Sequence, residues 1–234
     1  MAQVARVRAT VVDCAGKTTR EVNELIRGAE GEVLVKNPAA RHNLGVAILK
    51  SLKVVFDGPV GWYCASMLDG GEVEIRGNCG WSVGQNMMSG RIEVHGHAGS
   101  STGATIRGGR LFVAGDAGAR TGISMKGGTV IVGGSVGYMS GFMMQRGTLI
   151  VCGNAADGVG DSMYEGTIFV GGDIASFGAD AVAAELTDED AGFLRAELEP
   201  YSNDTGELEF TKIVAGRKLW NFSKKEFEVW KVAL

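Results

Sequence analysis

The stretch that decides the fold consists of two consecutive nineteen-residue units, GHAGSSTGATIRGGRLFVA at 96–114 and GDAGARTGISMKGGTVIVG at 115–133. The two units share small residues at fixed places, and each ends in a short β-branched or aliphatic run. The same period continues in both directions, so that successive units begin at Gly58, Gly77, Gly96, Gly115, Gly134 and Gly153. A fixed period of this length indicates a repeat architecture, in which each unit is one turn of a stacked structure.

Glycine is the outlier in the composition, because it accounts for 37 of 234 residues. Its average usage is only about 7%. Two glycine positions recur in nearly every unit, and they comprise Gly84, Gly103, Gly122, Gly141 and Gly160, and Gly90, Gly109, Gly128, Gly147 and Gly166. Corners of stacked turns require positive φ or close backbone contact, which glycine tolerates best. We therefore interpret these ten glycines as structural repeat positions.

Short strands close each unit, as in Leu111-Phe112-Val113, whose outer two members are always aliphatic. This alternation predicts strands with one buried face. One further large apolar residue recurs per unit, at Leu68, Met87, Ile106, Met125, Met144 and Met163, with Leu49 in a degenerate unit at 39–57. The strands are too close together for helical crossovers. The sequence thus predicts an all-β, right-handed parallel β-helix; a left-handed hexapeptide helix would need an eighteen-residue turn, which a period of nineteen breaks.

The two ends depart from the repeat. Residues 1–38 are predicted to form a small α/β N-terminal cap, with a strand at Val7–Val12 and a helix at Thr18–Arg27 that Thr18 opens in capping-box order. The parallel β-helix of GXGXG repeats is expected to occupy residues 39–179. Residues 180–234 then form a C-terminal capping helix and a basic aromatic tail.

The C-terminal region contains two distinct signals. A helix is predicted to begin near Thr187, and its apolar side, with Phe193, Leu194 and Leu198, is expected to cover the edge of the last turn. The tail combines lysines with four aromatic side chains, Trp220, Phe222, Phe227 and Trp230. Buried aromatics within a charged rim are typical of protein interfaces. We interpret the four as a candidate partner interface; the alternative is that they pack on the chain's own surface.

Charge and cysteine usage exclude several classes of protein. The net charge is -4 and no basic patch is present, so neither nucleic acid nor a membrane is expected as a partner. No run of eighteen apolar residues occurs, and the first residues lack the apolar region of a signal peptide. We therefore expect a cytoplasmic protein. The cysteines form no C-x-x-C pair and are expected to be buried thiols, at Cys14, Cys64, Cys79 and Cys152.

Candidate chemical groups are few. His95 and His97 could offer two imidazoles to a metal, but the other histidine, His42, lies about three turns earlier. Carboxylates on the outer face of the first strands could serve a polysaccharide-cleaving β-helix. These are Glu72, Glu74 and Glu93, and they alternate with Arg76 and Arg91, as in a solvated charged face. We expect no catalytic, cofactor-binding or metal-binding residue in this chain.

The repeat resembles the GXGXG domain that ends the large subunit of glutamate synthase and recurs in one of the subunits of formylmethanofuran dehydrogenase. The resemblance is carried by Gly115-Asp116-Ala117-Gly118, by the run from Thr121 to Gly128, and by Gly160-Asp161-Ser162-Met163-Tyr164-Glu165-Gly166. It implies a right-handed β-helix with a structural role.

A more specific resemblance involves the N-terminal pattern from Thr19 to Asn23, the run from Asn37 to Leu44, and Phe142-Met143-Met144-Gln145. These segments are similar to the free-standing β-helix subunit of N-methylglutamate synthase, a glutamate synthase-like complex. The resemblance implies a hetero-oligomer that converts glutamate and methylamine to N-methylglutamate and ammonia. The implied partners are an FMN-binding synthase-like subunit, which would hold the FMN and an iron–sulfur cluster, and a class II amidotransferase-like subunit.

Two other functions stay open at this point. A formylmethanofuran dehydrogenase or formyltransferase/hydrolase-type complex would use the same scaffold with different partner chains. A stand-alone carbohydrate-active β-helix is the more remote alternative, because a fold does not by itself determine a function.

Overall fold

The computed structural model describes residues 9–201 and 209–217, and these form one continuous sheet of eleven strands. The strands run β1 Thr10–Asp13, β2 Glu32–Lys36, β3 Lys53–Asp57, β4 Glu72–Ile75, β5 Arg91–Val94, β6 Arg110–Val113, β7 Lys126–Val132, β8 Arg146–Val151, β9 Thr167–Val170, β10 Ala181–Ala184 and β11 Thr211–Ala215. Two helices accompany them, α1 Thr19–Gly28 and α2 Asp188–Leu198, with a short 3₁₀ turn at Glu199–Tyr201. The architecture confirms the predicted all-β parallel β-helix.

Neighbouring strands from β1 to β9 are parallel and pair in chain order. From β3 to β9 the parallel register is an offset of nineteen residues, as Val73 pairs with Ile92 and Ile92 with Leu111; the exception is Lys126, which pairs with Arg146 before a register shift. A second, shorter line of parallel bridges stacks on another side of the turn, through Val60, Cys79, Ala98, Ala117, Val136, Ala155 and Ile174. The register explains the period, because equivalent residues of successive turns lie directly above one another.

The predicted internal column is confirmed. Leu68, Met87, Ile106, Met125, Met144 and Met163 are fully buried. The outer two residues of each strand end are buried with them, as Leu111 and Val113 illustrate. One core therefore runs the length of the helix, and within it each turn is stabilised by packing against the next.

Helix α1 closes the first turn. Its capping box is formed, since the Glu21 amide donates to the Thr18 hydroxyl and the Thr18 amide donates to the Glu21 carboxylate. Val22 and Ile26 are buried in the common core. The buried Asn23 side chain donates to the Asn43 carbonyl at 2.7 Å and accepts from the amide of the following turn at 2.8 Å. These bonds satisfy backbone groups that an open edge would leave unpaired.

Leu49 was expected in the internal column, and that expectation is wrong. Its side chain is 68% exposed, whereas Ile48 is 1% exposed. The Asp69 amide donates to the Ile48 carbonyl, just as the Met88 amide donates to that of Leu68, so Ile48 occupies the column level. The turn at 39–57 has the usual nineteen residues, but the segment between Ile48 and β3 is one residue longer than the segment between Leu68 and β4. Position counting alone could not detect this local shift.

The last turn is closed by strands, which corrects the expectation that the C-terminal helix covers its edge. β11 runs antiparallel to β9, and β10 runs antiparallel to β11. Helix α2 begins where it was predicted, with Thr187 as its N-cap, but it packs on the outer face of the sheet. There Leu194 and Leu198 are buried against Ile131, Ile150 and Phe169. The reason is that the outward residue of the strands becomes apolar in the later turns and needs cover.

None of the helices in the described part of the chain is long and apolar enough to cross a membrane.

Candidate functional site

The ten predicted glycine positions all lie in the left-handed region, with φ between +66 and +98. At Gly122, φ is +71 and an added Cβ would lie 2.9 Å from the Met125 Sδ atom. At Gly128, φ is +72 and an added Cβ would lie 2.9 Å from the Gly109 carbonyl oxygen of the preceding turn. Both conformation and space therefore favour glycine at these corners, although Ala65 occupies the equivalent position one turn before Gly84 with φ +54.

Two of the three histidines accept hydrogen bonds from a neighbouring turn, and the third lies near a carboxylate of a neighbouring turn. His42 Nδ1 accepts from the Trp62 amide at 2.9 Å, and His97 Nδ1 accepts from the Asp116 amide at 3.0 Å. His95 Nε2 lies 3.6 Å from a Glu74 carboxylate oxygen. Residues 9–201 and 209–217 contain no group of three or more histidine, cysteine, aspartate or glutamate side chains that could hold a metal ion.

His97 belongs to a ladder of polar side chains that was not predicted from the repeat. Each member accepts a hydrogen bond from the backbone amide nineteen residues further on, and its members are Asn78, His97, Asp116, Ser135 and Asn154. The donor–acceptor distances lie between 2.8 and 3.0 Å. The signal was present in the sequence, because polar acceptors recur at one position of five successive units. These side chains hold the stack together.

The outward carboxylates of β4 and β5 lie at a shallow polar cavity of about 210 Å³, which is lined by Lys53, Glu72, Val73, Glu74, Arg91 and Glu93. Glu74 and Glu93 face each other across neighbouring strands. Each has a cationic partner, since Arg76 Nε lies 2.9 Å from Glu74 and the Arg91 guanidinium contacts Glu93. Opposite charges are thus paired along this face, as expected for a solvated charged surface.

The end of α2 joins this charged face. Arg110 donates to Glu197 at 2.7 Å, and the Tyr201 ring stacks on Phe112 with centroids 3.8 Å apart. The Arg91 guanidinium lies 5.3 Å from the centroid of the same Tyr201 ring. Burial raises the pKa of the Tyr201 hydroxyl. Helix α2 covers the outer face of the later strands and leaves that of β4 and β5 uncovered. Ring stacking and ion pairing at β6 fix the boundary between the two parts.

The cysteines are free thiols. Cys14, Cys64 and Cys79 are buried, as predicted, whereas Cys152 is only partly buried. Burial raises the pKa of Cys79 to about 12 and that of Cys152 to about 11. Since the thiolate is the reactive form, these thiols are poor nucleophiles at neutral pH.

An exposed aromatic stack lies at a corner of the early turns. The His42 and Trp62 rings have centroids 4.5 Å apart at 18°, and the Trp62 and Trp81 rings have centroids 5.2 Å apart at 16°. Trp62 is 44% and Trp81 is 55% exposed. This surface was not predicted from the sequence. The interface that was predicted, formed by Trp220, Phe222, Phe227 and Trp230, lies outside the described residues.

A family model described as the GXGXG motif matches residues 31–233. The match begins just before β2 and covers the whole β-helix together with α2 and the C-terminal strands. No curated protein matches the chain.

Proposed function

The chain belongs to the GXGXG-motif family, and from that premise we propose that it is the non-catalytic scaffold subunit of a glutamate synthase-like complex. The GXGXG domain is associated with the C-terminal region of glutamate synthase. The more specific proposal is N-methylglutamate synthase, in which glutamate and methylamine give N-methylglutamate and ammonia. Its support is the N-terminal pattern from Thr19 to Asn23 and the run from Asn37 to Leu44, which are typical of the free-standing subunit.

One observation carries the scaffold role: the groups that could perform chemistry are already engaged, either in hydrogen bonds between turns or in ion pairs within a turn. His42 and His97 accept hydrogen bonds from backbone amides of the following turns, and Glu74 and Glu93 pair with arginines two residues away. A catalytic base or nucleophile must instead be free to reach substrate. The arrangement favours a rigid brace over an active site.

The ends of the stack support the same role. Helix α1 bonds the edge of the first complete turn, and β11 occupies the edge of β9. The antiparallel pair of β11 and β10 interrupts the parallel stack, so a further parallel turn cannot add directly to β9. Partner subunits would therefore bind along the sides of the β-helix, which would hold the partner subunits at a fixed distance from one another.

In this proposal the redox and amide chemistry belongs to partner chains in the cytoplasm. FMN and an iron–sulfur cluster would reside in the synthase-like subunit, and a class II amidotransferase-like subunit would complete the hetero-oligomer. The purified single chain should therefore show no flavin absorbance. A stoichiometric flavin spectrum from this chain alone would contradict the assignment.

We propose that the aromatic tail anchors the chain to a partner. Deleting residues 217–234 removes the tail but retains β11, which ends at Ala215. The shortened chain should fold with an unchanged melting temperature, while its recovery with the synthase-like and amidotransferase-like chains falls sharply.

A pair of double variants separates the contribution of the rings from that of the charges. Trp220→Ala with Trp230→Ala should reproduce the loss of recovery, because interface energy concentrates in buried aromatic side chains. Lys224→Ala with Lys225→Ala is the matched control and should have a much smaller effect. Unfolding or aggregation of the deleted chain by itself would make the tail an end cap, and normal assembly would exclude both roles.

A further inference from the structure

The aromatic stack has an uneven profile along the helix axis. Counting one residue per turn, Trp62 and Trp81 are followed by the small residues Ser100 and Ala119, and then by Tyr138, which is 52% exposed. Each of these residues lies one turn above the one before it. The Tyr63 amide donates to the Trp81 carbonyl, and one turn later the Ser82 amide donates to the Ser100 carbonyl. We call this line of residues the ring column.

The ring column contains a gap. Stacked turns lie about 4.8 Å apart, so three steps separate the levels of Trp81 and Tyr138 by about 14 Å. The Trp81 ring lies against the next turn, because a Cβ added at Gly99 would be 2.5 Å from its Cδ1 atom. Ser100 and Ala119 cannot continue the stack, so the surface has two protruding rings beside a depression two levels high.

We propose that this surface is a homodimer interface, in which the two tryptophans of each copy fill the depression of the other. A twofold axis perpendicular to the helix axis, passing between the levels of Trp81 and Ser100, makes two copies antiparallel with ring column facing ring column. Trp81 then faces Ser100 of the second copy, and Trp62 faces Ala119 of the second copy. An isologous interface requires this kind of self-complementarity.

Other positions of the axis fit worse. Moving the axis by half a level toward Ala119 sets Trp62 opposite Tyr138 of the second copy, ring against ring. Moving it by half a level the other way sets Trp81 opposite its own equivalent. Only the register between Trp81 and Ser100 sets both tryptophans opposite small residues, and it leaves His42 opposite Tyr138 at each rim.

The neighbouring column agrees with the same axis. Tyr63, which is 42% exposed, would face Arg120 of the second copy, and Ser82 would face Ser101 of the second copy. Arg120 is exposed, and a guanidinium over a tyrosine ring is a favourable cation–π pair. Exposed rings rimmed by polar residues are typical of a binding surface. Two scaffold chains paired in this way would join two copies of any complex built on them.

The test is a size swap followed by sedimentation equilibrium of the full chain. Ala119→Trp fills the depression and should weaken dimerisation by tenfold or more, on the order of one desolvated anchor. Trp62→Ala should also weaken it, by loss of the ring. The double variant exchanges the large and small partners and should restore dimerisation to within about threefold of wild type, because residues in contact are coupled whereas the effects of distant substitutions add.

The variants are expected to fold, since the same column already contains tryptophan at two levels, and circular dichroism checks this. Ala114→Trp, at an exposed alanine after β6, is the matched control and should leave the dimer unchanged. A wild-type chain that stays monomeric to about 100 μM, well beyond a specific dimer's range, would overturn the proposal. A double variant no better than Ala119→Trp would do so too. Loss of a partner subunit in place of the dimer would assign the face to that partner.

Discussion

Gly122→Val is the substitution that tests the repeat most severely. Gly122 has φ +71, and a β-branched side chain is strongly disfavoured in the left-handed region. The strain alone costs about 1–2 kcal/mol. The added atoms also meet Met125 Sδ at 2.9 Å and Leu149 Cδ2 at 3.6 Å from the Cβ position, and overpacking of this kind costs about 1–3 kcal/mol. The expected loss of unfolding free energy is therefore about 2–5 kcal/mol.

Urea unfolding followed by circular dichroism measures this loss. Gly122→Ala is the intermediate case, since it keeps the strained φ but adds only one methyl group. Ala65→Gly is the matched control, because Ala65 occupies the equivalent position with φ +54 and is fully buried. Relief of strain and loss of one buried methyl group should nearly cancel there, leaving a change within about 1 kcal/mol.

A Gly122→Val chain with the wild-type urea midpoint and slope would refute the reasoning. It would mean that the corner relaxes at little cost, and that the glycine repeat is not required by backbone conformation. A lowered midpoint with a changed slope would instead indicate that the stack no longer unfolds as one unit.

Other predictions concern the core register, thiol ionisation and the polar ladder. Ile48→Ala should lower the unfolding free energy by about 2–5 kcal/mol and Leu49→Ala by less than about 0.5, since only Ile48 is buried; equal losses would contradict the register. Burial raises the pKa of Cys79 to about 12 from an ordinary 9.0, so between these pH values the Cys79 thiol ionises only in the unfolded chain. The unfolding free energy should therefore fall as pH rises from about 9 toward 12. Cys79→Ala should reduce the slope of unfolding free energy against pH by up to about 1.4 kcal/mol per pH unit. Asp116→Ala should cost about 0.5–1.5 kcal/mol by removing the acceptor for the Ser135 amide, whereas Asp116→Asn should cost almost nothing in thermal unfolding.

The parts of the fold that could be predicted are those that the period repeats. Each internal residue, strand and corner glycine occurs several times, so one accidental substitution cannot hide the position. Thr18 and Thr187 were predictable for another reason, since a capping box is a purely local signal.

The features that were missed depend on contacts between distant segments. The position of α2 follows from the outward-facing residues Ile131, Ile150 and Phe169. The sequence shows that these outward positions become apolar in the later strands, but it does not show which segment packs on them. The antiparallel pairing of β11 with β9 joins segments that no local pattern connects. The polar ladder is an exception, because its acceptors recur at one position of five successive units; the ring column shows in the sequence only as Trp62 and Trp81 nineteen residues apart, since Ser100 and Ala119 interrupt it.

The central claim is that this chain braces other subunits of a glutamate synthase-like enzyme. Affinity purification of the tagged full chain from its native cells, followed by mass spectrometry of the intact assembly, tests it most directly. The account predicts that an FMN-binding synthase-like chain and a class II amidotransferase-like chain copurify in fixed stoichiometry, with flavin absorbance in the assembly. Recovery of the chain alone, or with formylmethanofuran dehydrogenase-type subunits, would contradict it.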